Sequence, residues 1–198
     1  MISLANISKS YNKNNILNNI TISFDNGLYI IQGINGSGKS TLLRIISGLA
    51  YKDSGIIKKE AVVSYLPDKY TMPKLITVKN YLYNLILDKN KKEIFNELTS
   101  KYQLPNKRIG SLSKGNIQKL GIIQALLCEA DCYIFDEPID GLDIDAKRIF
   151  RDDINNLLKN NKIVIMSLHN KAYFNNLSPT IINIRDGLCD EKKKKIQN

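Results

Sequence analysis

Two short stretches of this chain carry the residue types that polyphosphate chemistry needs. The first, Gly33-Ile34-Asn35-Gly36-Ser37-Gly38-Lys39-Ser40-Thr41, fits G-x-x-x-x-G-K-[ST]. Glycines let successive backbone N–H groups turn toward one point and form an anion nest. A helix opening at Gly38–Lys39 adds unsatisfied N–H groups and a positive dipole end. Asn35 through Thr41 are then expected to wrap phosphates, Lys39 to reach the β- and γ-phosphates, and the Ser40 hydroxyl to bind the magnesium ion between them. The second stretch, Cys132-Tyr133-Ile134-Phe135-Asp136-Glu137-Pro138, is an apolar run ending in two carboxylates. The crevice of an open α/β sheet lies at the carboxyl ends of its strands, which makes Asp136 the magnesium partner of Ser40, directly or through water. Glu137 points elsewhere along the pleat and is the candidate to polarise an attacking water.

The elements that must position these residues are readable on either side. Leu28 to Gln32 is an apolar strand feeding the loop, and Thr41 to Leu49 is a helix on Leu42, Leu43, Ile45 and Ile46, closed by Gly48. Ile16 to Phe24 ends in β-type alternation at the turn Asp25-Asn26-Gly27, and Ala61 to Leu66 is a short strand ended by Pro67. The middle changes character. Thr77 to Leu87 places Val78, Leu82, Leu85 and Ile86 at helical spacing, and Lys91 to Tyr102 repeats this with Ile94, Phe95 and Leu98. A helical insert is therefore expected over 73–110, running on into a helix from Lys114 to Cys128. Beyond it come buried strands at Cys132–Phe135 and Ile163–Met166 and an amphipathic helix from Asp143 to Leu158 on Ile144, Ile149, Ile154, Leu157 and Leu158. A short helix from Asn170 and a last strand, Thr180 to Ile184, complete the order. Strands alternating with helices predict an α/β fold with a mostly parallel sheet covered on both faces, within a single domain over 1–198.

Composition narrows the function classes. The net charge is +10, yet the lysines are scattered (Lys52, Lys58, Lys89, Lys101, Lys119), and only Lys192 to Lys195 form a block, read as a frayed tail. A solvated basic surface beside polyphosphate and anionic lipid heads accounts for this charge, so no nucleic-acid partner is expected. No apolar run reaches the roughly 18 residues that a membrane span requires. The N-terminus does not read as a signal peptide, so a cytoplasmic location is expected. Cys128, Cys132 and Cys189 form no metal-ligand pattern, and Cys128 and Cys132 are expected to be small buried hydrophobes.

Between the two phosphate-site stretches lies Leu112-Ser113-Lys114-Gly115-Asn116 at a helix start, and after them come Asp140-Gly141-Leu142-Asp143 and His169, the only histidine. With these in place the chain resembles the nucleotide-binding subunits of ABC-type ATPases over nearly its whole length. That resemblance implies the phosphate-loop ATPase fold, with a small antiparallel β portion and a helical subdomain beside the parallel core. It implies ATP and Mg2+ as ligands, hydrolysis of ATP, and two subunits sandwiching two ATP molecules. Each site then joins one subunit's phosphate loop to Ser113, Lys114, Gly115 and Asn116 of the other. It matches Asp143 to the D-loop, Tyr11 to the aromatic that stacks on adenine, and His169 to the switch histidine near the γ-phosphate and Glu137.

Two departures from the family pattern stand out. Lys114 and Asn116 replace the usual glycine and glutamine of the signature loop, while Ser113 and Gly115 remain. Asp68 stands where the Q-loop glutamine is expected; an acid there can approach magnesium, although it is shorter than glutamine and carries negative charge. The Leu-Ser-Lys-Gly form with an acidic Q-loop looks like the exporter branch that handles drugs and bacteriocins. A membrane-embedded permease partner is then implied, docking between the Asp68 loop and the helical insert at the inner face of the cell membrane. A soluble ATPase of the same fold acting on DNA or ribosomes is the alternative. It is disfavoured by the compact insert, which has no sustained heptads, and by the single cassette. An unrelated phosphate-loop kinase would leave the Ser113 loop and His169 unexplained.

Overall fold

The computed structural model describes residues 1–85 and 92–192. Two sheets organise it. The first is antiparallel, with β2 (Asn14–Phe24) and β4 (Ser54–Lys59) flanking β1 (Ile2–Tyr11). The second has six strands in the order β5 (Val63–Leu66), β6 (Cys132–Asp136), β7 (Ile163–Ser167), β3 (Gly27–Gln32), β8 (Thr180–Arg185) and β9 (Leu188–Lys192). Its first five strands run parallel and β9 closes the edge antiparallel to β8. The α/β core with its small antiparallel portion therefore stands as expected.

Strands β6 and β7 are buried at every position, as parallel strands covered on both faces must be. Their side chains divide by the two-residue period of the pleat. Tyr133, Phe135, Val164 and Met166 join one apolar cluster with Leu28 and Ile30. That cluster also holds α4 (Lys114–Leu127) and α5 (Ile144–Lys159). Cys132, Ile134, Ile163 and Ile165 join a second cluster with Ile31, with α1 (Lys39–Ser47) and with the antiparallel sheet.

The stretch expected to be a helical insert contains α2 (Val78–Leu85) and α3 (Lys92–Lys101). Val78, Leu82, Phe95 and Leu98 pack into the first apolar cluster, continuous with the sheet core. Ile86 and Leu87, expected to extend α2, and Lys193–Lys195 of the expected tail lie outside the described residues. Lys192 belongs to β9, paired with Ile181, rather than to a frayed end.

Several side chains differ from expectation for local reasons. Ile94 and Leu85 are half-exposed. Ile144 is 77% exposed because it sits in the first turn of α5, ahead of the buried stripe formed by Ala146, Phe150 and Ile154. Cys132 is buried, but Cys128 is exposed, because α4 ends there in extended backbone and turns its last residue outward. The short helix expected from Asn170 is a 3-10 turn over Ala172–Leu177.

Candidate functional site

The strand order decides what meets what. With β3 beside β7 and β7 beside β6, three neighbouring carboxyl ends deliver the phosphate loop, the Ser167–His169 segment and the Asp136–Glu137 pair to one edge. β5 adds the Pro67–Asp68 turn alongside. A cleft of about 520 Å³ opens there, lined by Tyr11, Asn35, Gly36, Gly38, Lys39, Ser40, Thr41, Asp68, Lys69, Glu137, Asp140 and His169 among others.

The loop itself adopts the conformation its glycines permit. Gly36 and Gly38 have φ of +80° and +103°, and a Cβ on Gly38 would lie 2.8 Å from Leu17 Cδ2 and 2.9 Å from the Ile16 carbonyl. Only glycine fits between this turn and β2. Helix α1 begins at once on Lys39, with no side chain capping its first amides, so these donors are aimed at the cleft without an internal acceptor. Lys39 is nearly buried, and its Nζ donates to the carbonyls of Gly33 (2.9 Å) and Ile34 (3.3 Å). Among the described residues its hydrogen-bond acceptors are neutral carbonyls, which anionic phosphate oxygens can replace as stronger acceptors. The Ser37 Oγ and Glu137 Oε1 atoms are buried without a hydrogen-bond partner among the described residues.

On the opposite wall Glu137 takes a left-handed φ of +50°, which lifts it off the β6 pleat. Its Oε1 lies 3.5 Å from His169 Nε2. Burial raises the Glu137 carboxyl above its ordinary value, His169 and Lys39 oppose the shift, and Asp140 and Asp136 reinforce it. Asp136 is 1% exposed and lies behind the cleft wall, with Ser167 Oγ donating to its Oδ1 (2.6 Å) and the Tyr65 hydroxyl 3.5 Å from Oδ2. Burial, with the Asp136 charge, pushes that phenol up to about 12. No group of three or more His, Cys, Asp or Glu side chains clusters to hold a metal by itself among the described residues. A cation here needs ligand oxygens from a bound phosphate, which suits magnesium, an ion that keeps few protein ligands and takes phosphate and water for the rest.

The remaining expected site residues lie elsewhere in the same subunit. Ser113 caps α4, its Oγ accepting from the Asn116 amide at 3.2 Å. Gly115 sits against the Asp140–Asp143 loop, where an added Cβ would come 2.9 Å from the Gly141 carbonyl. The Lys114 stem also lies against Gly141, 3.7 Å from where a Cβ on that glycine would sit. Asp143 caps α5 through the Ala146 amide (2.7 Å) and accepts from Lys119 (2.8 Å). None of Ser113, Lys114, Gly115, Asn116 or Asp143 lines the cleft. Sequence reasoning missed Lys69, Asp140, Tyr65 and Ser167 as neighbours of the site. Asp140 and Lys69 adjoin residues already singled out, whereas Tyr65 and Ser167 reach it only across strands.

This fold and this cleft define a phosphate-loop nucleotide-binding protein. The family model described as ABC transporter matches residues 17–140, and the chain belongs to that family. It is 35% identical over 206 residues to the zinc import ATP-binding protein ZnuC of Wigglesworthia glossinidia brevipalpis, covering 100% of this chain and 89% of that one. It is 30% identical to the ABC transporter ATP-binding protein NatA of Bacillus subtilis (strain 168), covering 85% of this chain and 77% of that one. Among solved structures, the ATP-binding subunit of an ABC transporter superposes with a TM-score of 0.90 at 22% identity, covering 98% of this chain and 90% of that one. A bacterial ABC transporter cassette solved as a dimer superposes at 0.87 with 21% identity, covering 98% and 99%. Membership makes the chain an ATPase working with ATP and Mg2+, dimerising and serving a membrane permease.

Proposed function

We propose that this ATPase powers a divalent-metal importer of the zinc-import type, using the residues assembled in the cleft. The relatives named for zinc import support the cargo and the direction, and they give the exporter branch expected from Leu112–Gly115 and Asp68 no support. The observation that carries the catalytic part is the meeting of Lys39, Glu137 and His169 at neighbouring carboxyl ends of one parallel sheet.

Lys39 exchanges its loop carbonyls for β- and γ-phosphate oxygens, and the amides from Asn35 to Thr41 hold the chain of phosphates. Tyr11, half-exposed at the end of β1, stacks on the base. Ser40 and Asp136 would hold the magnesium ion, with Asp68 as a further candidate ligand, and the ion would supply neutralisation of charge on the phosphates. Glu137 takes a proton from water, since burial gives its carboxylate a stronger pull on that proton than an ordinary glutamate has. His169, with its Nε2 3.5 Å from Glu137 Oε1, hydrogen-bonds the γ-phosphate and holds the water near Glu137. The second subunit completes the site with Ser113, Lys114, Gly115 and Asn116, where the start of α4 offers the Lys114 and Gly115 amides to the phosphate while Ser113 caps that of Asn116. Asp143 braces that loop through Lys119.

Residues 73–110 act as a helical subdomain that transmits closure to the permease. The docking site is a groove of about 290 Å³ between the end of β5 (Leu66) with the turn after it (Pro67, Tyr70), α2 (Tyr81) and α4 (Gly121, Gln124). Among the described residues no helix is long and apolar enough to cross a membrane, and attachment to the inner face of the cell membrane comes through this groove. The test is paired. A tagged chain purified in mild detergent is expected to carry a polytopic membrane protein with it, and cells without the chain are expected to lose ATP-dependent zinc accumulation. Zinc accumulation that rises on deletion overturns the import direction.

A further inference from the structure

Beneath the cleft, the two acids are tied together by one hydroxyl. Ser167 ends β7, is fully buried, and pairs in register with Asp136 across the β6–β7 ladder. Its Oγ accepts from the Glu137 amide at 2.9 Å and donates to Asp136 Oδ1 at 2.6 Å. A serine hydroxyl carries one proton. The amide can only donate, so that proton goes to the carboxylate, and neither bond leaves the hydroxyl free to turn.

Each bond restrains something the reaction uses. The amide bond holds Glu137 at its left-handed φ of +50°, a conformation a glutamate adopts only where its surroundings fix it. That turn takes the Glu137 side chain off the β6 pleat and toward His169. The hydroxyl bond fixes the plane of the Asp136 carboxylate, occupying Oδ1 and leaving Oδ2, among the described residues, with only the long approach of the Tyr65 hydroxyl. A backbone turn and a carboxylate plane are thus set by the same oxygen atom.

We propose that Ser167 is a positioning residue that couples the two acids: it aims Asp136 at the metal and Glu137 at the water, and loss of its hydroxyl loosens both together. This rests on the assignment of Asp136 and Glu137 given above. Ser167→Ala removes both bonds, and Ser167→Cys removes them while keeping the volume, since a thiol is a weak donor and acceptor. Ser167→Thr keeps the hydroxyl on a strand that favours β-branched residues.

The experiment follows the ATP-induced rise in melting temperature of the full chain, titrated with magnesium ions and repeated in EDTA, beside steady-state ATPase. In the Ala and Cys variants, the magnesium concentration giving half the rise is expected to increase roughly 10–100-fold, as for other groups that orient metal ligands. kcat should fall, the EDTA value should stay at wild type, and Thr should restore the magnesium response. Should Ala fail to fold, Cys carries the comparison. A wild-type magnesium requirement in the Cys variant overturns the proposal, as does a loss of the EDTA response in step with melting temperature, which marks a packing role only. Asp136→Asn separates the two levels of the argument. If it too leaves the magnesium requirement unchanged, the assignment of Asp136 itself falls; if only the Ser167 variants are silent, the coupling alone falls.

Discussion

Removing the Lys39 ammonium should cost nucleotide binding far more than it costs the fold. In the free protein Nζ donates to two neutral carbonyls, at 2.9 Å on Gly33 and 3.3 Å on Ile34. Each such bond, with a charged donor and a neutral acceptor, contributes about 1.5 kcal/mol. On nucleotide binding both are exchanged for bonds to phosphate oxygens that are charged on both sides, at about 2.5–3 kcal/mol each. The difference for two bonds is roughly 2–3 kcal/mol, so Lys39→Ala should weaken ATP binding by roughly 30–150-fold. The stability change should be small, because losing two bonds is offset by no longer burying a charge in a mostly neutral loop. Calorimetric titration with ATP, alongside a melting curve, reads both quantities. ATP affinity of wild-type strength in a folded Lys39→Ala protein refutes the reasoning, because among the described residues no other cation is so nearly buried in the cleft wall.

Other expectations follow from individual contacts. Because burial raises the Glu137 carboxyl, the acid limb of kcat against pH should lie above the ordinary glutamate value of about 4.3, and it should move if His169 is replaced; a limb at that ordinary value contradicts the assignment. Asp153 on α5 is nearly buried and accepts from Lys101 and from the Tyr102 hydroxyl (2.8 Å), tying the end of α3 to α5. Asp153→Ala leaves that phenol and ammonium without their acceptor and should cost about 3 kcal/mol, lowering Tm by roughly 6–12 °C in calorimetry. Gly121 on α4 lies under Tyr70, whose hydroxyl donates to the Ile117 carbonyl at 2.9 Å and would meet a Gly121 Cβ at 2.3 Å. Gly121→Ala should therefore eject Tyr70 and weaken permease co-purification while ATP binding holds, against the usual gain of about 1 kcal/mol from alanine in a helix.

The phosphate loop and the two fully buried strands were legible because local chemistry dictates them. Gly36 and Gly38 are required by backbone conformation, and a strand covered on both faces reads as an unbroken apolar run. The antiparallel sheet was harder to see. In β1 the alternation is broken by register shifts between Leu4 and Ile7 and again near Lys9, with Asn6 at φ +54°, so the sequence Ile-Ser-Leu-Ala-Asn-Ile hides its strand. β4 and β9 are short and rich in polar residues, and β9 is held by its ladder to β8. The exposed Ile144 and Cys128 mark helix ends, where periodicity no longer predicts facing. Tyr65 and Ser167 escaped because what they touch is set by which strand lies next to which, and that order is a long-range property. The two-residue period of the pleat predicts that Asp136 and Glu137 point apart; what separates them in fact is the left-handed turn at Glu137.

The central claim is that Glu137 supplies the base while the nucleotide itself joins two subunits. Glu137→Gln keeps the shape of the side chain and removes the base, so ATP turnover should fall roughly 10²–10⁴-fold. ATP then persists between the phosphate loop of one subunit and Ser113 of the other, and light scattering with the permease-bound complex or the purified chain should show an ATP-dependent dimer. Adding Ser113→Arg, which blocks the contact in trans, should return that dimer to monomers. Undiminished ATPase in Glu137→Gln contradicts the account outright.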